Sequence, residues 1–463
     1  MGGAMTAWAA IPPVECRRLT NGLTLLLVEK RELPLVSMEI LVHGGARTDP
    51  RGKEGLGSLA FSLLRRGTRR RSAEAFSLAI DSLGAIYGSG IDHDEGHLSA
   101  EFLSRDAGAA LDLIAEAVME PAYPDEEIAK RVQISVDGIG ADKDYPPSVI
   151  GRYFDAALFD GHPYGRSAGG DEASLQRVTR DDLVAYHESV FDPARVTIAL
   201  VGDFDSATMA REVERVFGAW RAAEPARAAR SAGALHVPGA MLAADLDPNP
   251  PIRVRSSRVL LVDEPDEKTC YFCFGNVGVA FGDPDWAPIQ LACTILGGQF
   301  TSWLNMALRV EEGLTYGVHA AFYRRRQPGP FCVSSFTPLE HADRALDLAL
   351  AQLRRLHDEG IGDDAIRAAK SYLRGQFPLS VETSDQIADV VALLEARGMD
   401  RAYVDGYLER VESATAARVN ECARRVFPRD DLAYTLIGPA ARLGALAERL
   451  GPVTHKRLRD PGF

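Results

Sequence analysis

Apolar positions along the chain follow two distinct patterns. LTLLLVEK (23–30) and VSMEILVHGG (36–45) are short apolar runs bounded by turn residues, and they predict strands. EGLGSLAFSLLRRGT (54–68) repeats its apolar positions at helical spacing and closes on Arg65, Arg66 and a Gly-Thr stop, which predicts an amphipathic helix. Ser58 and Ser62 share one face of that helix, with Phe61 between them. Further strands and long helices follow, and the series ends on a short apolar strand that stops at glycine, IALVG (198–202). A second series opens with RVLLVD (258–263) and YFCFGNVGVAF (271–281) and ends in the same way on YTLIG (434–438). Strands and helices interleave without a regular βαβ rhythm, so the predicted class is α+β.

The two series are copies. GGARTDP (44–50) matches GVAFGDP (278–284), offset by 234 residues, and ALDL (110–113) recurs at 345–348, offset by 235. QRV (176–178) matches ERV (409–411), VF (190–191) recurs at 426–427, and IALVG matches YTLIG at an offset of 236. Matches in order at nearly constant, very long spacing indicate a duplicated domain rather than a solenoid repeat. The expected organisation is a tail over 1–16, a first domain over 17–221, a linker over 222–254 and a second domain over 255–463. The Ala- and Pro-rich linker is long enough to let the halves face each other.

Composition changes this picture little. At 46% hydrophobic and 25% charged, the chain is an ordinary globular protein with no run of 18 apolar residues, so no membrane span is expected. A net charge of −13 argues against nucleic acid as partner, and the basic run RRGTRRR (65–71) is expected to be a solvated turn. The N-terminus has no evident signal peptide, which leads to the expectation of a cytoplasmic protein. Six scattered cysteines read as reduced core residues. Cys270 and Cys273 lie in a strand, where residues three apart point to opposite faces, so a metal or redox pair is not expected.

The helix with its Gly-Thr stop, EPAYPDEE (120–127), HPYGR (162–166), LGGQFTSWLNMALRVEEGLTYGV (296–318) and SYLRGQFPLSVET (371–383) together carry a family resemblance. Over roughly residues 17–450 the chain resembles the pitrilysin/insulinase-type zinc metallopeptidases, in particular the short-chain branch that includes mitochondrial processing peptidase. The resemblance implies two homologous domains, each a mostly antiparallel sheet with packed helices, in a clam-shell around a peptide cavity. It also implies an inverted H-x-x-E-H motif, in which two histidines four apart hold zinc and the glutamate activates its water. Aligned on Gly67-Thr68, those three positions fall on Ser58, Phe61 and Ser62, and the third ligand is expected near 137–139, at Gly138, where Asp137 is the only nearby carboxylate. A hydroxyl is a poor zinc ligand and a phenyl ring takes no proton, so no metal is expected in this chain.

HDEGH (93–97) has two histidines four apart, but its text reads as a strand pair with a turn, and four strand residues span about 13 Å. His162 reads as structural. LRVEEGLTYGV keeps an Arg and a Tyr seven apart, Arg309 and Tyr316, where the resembling peptidases use such a pair to reach the substrate. A guanidinium and a phenol can hold a peptide backbone and a developing oxyanion. The alternative is that Arg309 caps a helix and Tyr316 packs in the core. The resemblance thus implies a non-catalytic subunit that completes the peptide-binding cavity of a homologous, zinc-bearing partner chain. An inert peptidase-derived scaffold or peptide-binding protein is the alternative. The glycine-rich substrate loop of the mitochondrial non-catalytic subunit has no clear counterpart, so presequence recognition is not implied.

Overall fold

β3 (Leu35–His43) is buried along seven of its nine residues because strands flank it on both sides and the helix Ser384–Ala396 packs on it. Its neighbours are β1 (Glu15–Arg18), β2 (Thr24–Glu29), β4 (Ile86–Ile91), β5 (Glu95–Leu103) and β6 (Val196–Gly202). They form one six-stranded sheet in the order β1-β2-β6-β3-β5-β4, antiparallel except where β2 runs parallel to β6. The computed structural model describes residues 11–221 and 251–463. The tail expected over 1–16 therefore lies outside the described residues up to residue 10, and the linker expected over 222–254 lies outside them up to residue 250.

A second sheet repeats the first. It comprises β7 (Arg258–Asp263), β8 (Thr269–Val277), β9 (Val318–Phe322), β10 (Pro330–Pro338), β11 (Ala433–Gly438) and β12 (Val453–Arg457), in the order β12-β7-β11-β8-β10-β9. β3 corresponds to β8, β6 to β11 and β5 to β10, and β2∥β6 is matched by β7∥β11. Only the outer edge differs: β1 pairs with β2 antiparallel, whereas β12 pairs with β7 parallel. The fold is thus two homologous α+β domains on two mixed six-stranded sheets.

Contact in space divides the chain differently from its halves. Among the described residues, one unit holds 11–137, 167–221 and 377–405, and the other holds 138–166, 251–376 and 406–463. In the first unit the helix Ser384–Ala396 packs Ile387, Ala388, Val391 and Ala392 against Leu26, Val28, Leu41, Ala199 and Val201 of the sheet. In the second, the helix Ile150–Leu158 packs Tyr153, Phe154 and Leu158 against Leu260, Val262, Cys273 and Ile437. Each half of the sequence therefore gives one helix to the other half's sheet.

Some local expectations are corrected. The helix expected over 54–68 is Leu56–Leu63, so Arg65 and Arg66 lie beyond its end. Cys16 is exposed on an edge strand, where there is no core for it to join. The run RRGTRRR is more than a solvated turn, because Arg71 pairs with the buried Glu116, which also accepts from the Thr68 hydroxyl. No helix among the described residues is long and apolar enough to cross a membrane.

Candidate functional site

The Leu56–Leu63 helix starts from Gly55, at φ 89°, and is capped by the buried Asp49 carboxylate, which accepts from Gly55 N at 2.8 Å and Gly57 N at 3.0 Å. Leu56, Leu59, Ala60, Phe61 and Leu63 face the core, while Ser58 and Ser62 remain on the partly exposed face. Phe61 is 1% exposed. Its ring lies 4.9 Å from that of Phe191 and fills the space over Gly96, where an added Cβ would meet it at 2.0 Å. Glycine at 96 is what admits the ring.

Ser62 Oγ donates to Leu59 O at 3.0 Å and accepts from Arg131 Nε at 3.1 Å. Arg131 belongs to the helix Asp125–Lys143. Gly138 lies seven residues further along that helix, about 10 Å by helical rise, and offers no side chain. Ser58, Phe61, Ser62 and Gly138 therefore do not fit a zinc ion. Phe61 is a packed phenyl ring that takes no proton, and a guanidinium cation stands on the Ser62 hydroxyl. Among the described residues no group of three or more His, Cys, Asp or Glu is placed to hold a metal.

HDEGH spans the turn between β4 and β5 and the first residues of β5. Asp92 Oδ1 accepts from the backbone N–H groups of Asp94 and Glu95, and the Asp94 carbonyl accepts from Gly44 N and Gly45 N. The buried carboxylates of Asp94 and Glu95 meet Arg397 at 3.2 and 2.8 Å. His97 lies on β5, away from the turn. His162 is structural too: Nδ1 accepts from Tyr164 N at 3.1 Å, which leaves Nε2–H to donate to Gln327 Oε1 at 3.1 Å.

Arg309 lies on a π-helical stretch, Met306–Glu311, and its guanidinium is held between two aromatic rings, 4.9 Å from Phe300 and 4.6 Å from Tyr316. Tyr316 is 78% and Phe300 59% exposed, so neither ring packs in the core. The loop that carries Tyr316 is tied down on both sides of it. Thr315 Oγ1 donates to Gly317 O at 2.9 Å, Ser335 Oγ donates to Gly317 O at 2.9 Å, and Thr337 Oγ1 donates to Leu314 O at 2.7 Å. Asn305 Nδ2 donates to Val318 O at 3.0 Å. With the backbone fixed and Leu314, Thr315 and Val318 buried, the Tyr316 ring is turned outward.

The structure thus brings Arg309 and Tyr316 together, and places Ser58 and Ser62 on one face with Phe61 turned inward. Sequence reasoning missed Phe300 and Arg131. The signal for Phe300 was an exposed aromatic in GGQFTS beside an Arg-Tyr pair. The signal for Arg131 was its place on the face of Gly138, two turns earlier.

Residues 25–172 match the family profile described as "Insulinase (Peptidase family M16)", and residues 177–373 match "Peptidase M16 inactive domain". The chain is 24% identical over 421 residues to an uncharacterized zinc protease of Streptomyces coelicolor, covering 91% of this chain and 88% of the relative. It is 21% identical to the uncharacterized zinc protease YmxG of Bacillus subtilis, covering 91% and 98%. In fold it is similar to a peptidase M16 inactive domain from Pseudomonas fluorescens, with a TM-score of 0.83 at 23% identity, covering 92% and 98% of the two chains. A protease from Helicobacter pylori gives a TM-score of 0.83 at 18% identity, covering 93% and 100%.

Proposed function

The chain belongs to the M16 (insulinase) peptidase family, and from that premise we propose that it is a non-catalytic subunit of a heterodimeric zinc metallopeptidase. The observation that carries the reading is a split in its chemistry. Where the family resemblance puts the zinc motif the chain has Ser58, Phe61 and Ser62, with a guanidinium hydrogen-bonded to Ser62, while the half-buried Arg309 lies against the exposed ring of Tyr316. Zinc and water activation would come from a homologous partner chain. This chain would bind and orient the peptide, Arg309 offering charge-assisted donors to backbone carbonyls and Tyr316 a phenolic donor to the oxyanion that develops at the scissile carbonyl. Phe300 would hold the guanidinium plane in place.

The test is to recover the complex with a tagged chain from its native cell and follow kcat/KM on an unfolded polypeptide. Tyr316→Phe removes only the hydroxyl of an exposed ring, so stability should not change, and turnover should fall about a hundredfold, the usual scale for one oxyanion donor. Arg309→Lys should also slow the complex, because an ammonium lacks the planar fork. A zinc-bearing complex that ignores both substitutions would remove the shared active site. A tagged chain recovered without any hydrolytic partner would make it a scaffold.

A further inference from the structure

Arg131 is an unusual arginine in this chain. Its Nε donates to Ser62 Oγ at 3.1 Å, and Ser62 is itself held by donating to Leu59 O. That bond fixes the guanidinium plane but engages one donor of five, leaving the two terminal nitrogens to form a fork. The side chain is half-buried, and its charged neighbours are Arg66 and Arg65. Burial, followed by the charges of Arg66 and Arg65, holds the guanidinium below its ordinary pKa. Arg65 extends over the ring of Tyr87 at 6.0 Å.

Nearby charges are neutralised within the protein. Arg70 pairs with Glu120 at 2.8 Å, Arg71 with the buried Glu116, and Lys130 with Glu127 at 2.8 Å. Arg65, Arg66 and Arg131 form no ion pair among the described residues. Two like charges beside a half-buried cationic fork raise the free energy of the unliganded protein, and an anion seated on the fork reverses the sign of that term.

We propose that Arg131, flanked by Arg65 and Arg66 and oriented by Ser62, is a binding site for a carboxylate of a peptide. A carboxylate matches the geometry, because its two oxygens accept from the two terminal nitrogens of a guanidinium side by side. A peptide matches the surroundings. β4 is the last strand of its sheet and pairs only with β5 among the described residues, so its outer edge presents unpaired N–H and C=O groups to an extended chain. The same strand is tied to the helix of the site: Tyr87 lies under Arg65, and Ser89 Oγ donates to Phe61 O at 3.0 Å. The carboxylate is the peptide's C-terminus or an acidic side chain, and both present the same two oxygens. The ligand class rests on the peptide-binding reading above, but the measurement does not, because it needs neither a partner chain nor turnover.

The experiment is calorimetric titration of the purified full chain with three acetyl-capped hexapeptides of alternating Val and Ser. One has a free C-terminal carboxylate, one a C-terminal amide, and one an amide with a single internal Glu. The free acid, the Glu peptide or both should bind at least about tenfold tighter than the plain amide, and which of them gains identifies the source of the carboxylate. R131Q should abolish that advantage, and a cooperative thermal unfolding transition of the variant reports separately that it is folded. R131K should restore only part of it. Equal affinity for all three peptides, an advantage that survives R131Q, or no binding of any peptide at millimolar concentration would each overturn the proposal. So would displacement of all three peptides alike by inorganic phosphate, which would assign the cluster to a free phosphate. Failure of this titration leaves the Tyr316 assay standing, and failure of that assay leaves the titration standing.

Discussion

Glu39 sits in the middle of β3 with 6% of its surface exposed and faces the helix Ser384–Ala396, whose Asp389 carboxyl acts on it. Burial, reinforced by the Asp389 carboxylate, pushes the Glu39 carboxyl from its ordinary 4.5 up to about 9. Asp389 is raised too, by burial first; His97 lowers it, while Asp385 and Asp92 raise it. At neutral pH, then, Glu39 is a buried neutral acid. The sign of its effect on stability follows from proton counting. Below pH 4.5 both folded and unfolded chains keep this proton, and between 4.5 and about 9 only the folded chain keeps it. Stability therefore falls as pH rises through that window, by up to about 1.4 kcal/mol per pH unit from this group. Glu39→Gln, neutral at every pH, should flatten the dependence of Tm on pH and raise Tm at about pH 8. Parallel curves for the two proteins would mean that the Glu39 carboxyl ionises as freely in the folded chain as in the unfolded one.

At the scale of elements, the helix Ser384–Ala396 is the cover of the first sheet. Ile387 is 1% exposed against Leu26, Leu41 and Val201. Ile387→Ala should cost about 2–5 kcal/mol in denaturant unfolding, the range for a large core residue cut to alanine. A loss below about 0.5 kcal/mol, the surface-substitution scale, would mean that the helix is only loosely docked. Helices and strands of this kind are legible in the sequence because their periods differ. The runs at 23–30 and 36–45 became β2 and β3, and the offsets of 233 to 236 between repeats include those of the matched strands β3/β8 and β6/β11. The exchange of helices was not legible. An apolar stripe specifies that a helix must be covered but not by which sheet, and the two sheets have equivalent faces. The site divides in the same way. Gly67-Thr68 anchored Ser58, Phe61 and Ser62, and the Arg309–Tyr316 spacing placed both on one loop system. That Phe61 turns inward onto Gly96 and that Arg131 reaches Ser62 depend on packing between segments distant in sequence, which no local pattern encodes.

The whole molecule is a duplication in which neither copy is complete from its own half of the chain. Residues 377–405 belong to the unit of the first sheet and residues 138–166 to the unit of the second. Without the former, Leu26, Val28, Leu41, Ala199 and Val201 lose the helix that covers them. Without the latter, Leu260, Val262, Cys273 and Ile437 lose theirs. Each would be a contiguous apolar face, the kind of surface that drives association when uncovered. A chain divided within 222–250 tests this directly, because both exchanged helices stay in the fragments that carry them in sequence. Expressed alone, 1–221 and 251–463 should each be insoluble or lack a cooperative unfolding transition. Expressed together, they should co-purify one to one, because each restores the other's missing helix and the cut removes only a loop-closure constraint. A cooperative two-state transition for 1–221 alone would show that the first sheet closes its own core and that the helix Ser384–Ala396 is an accessory to it.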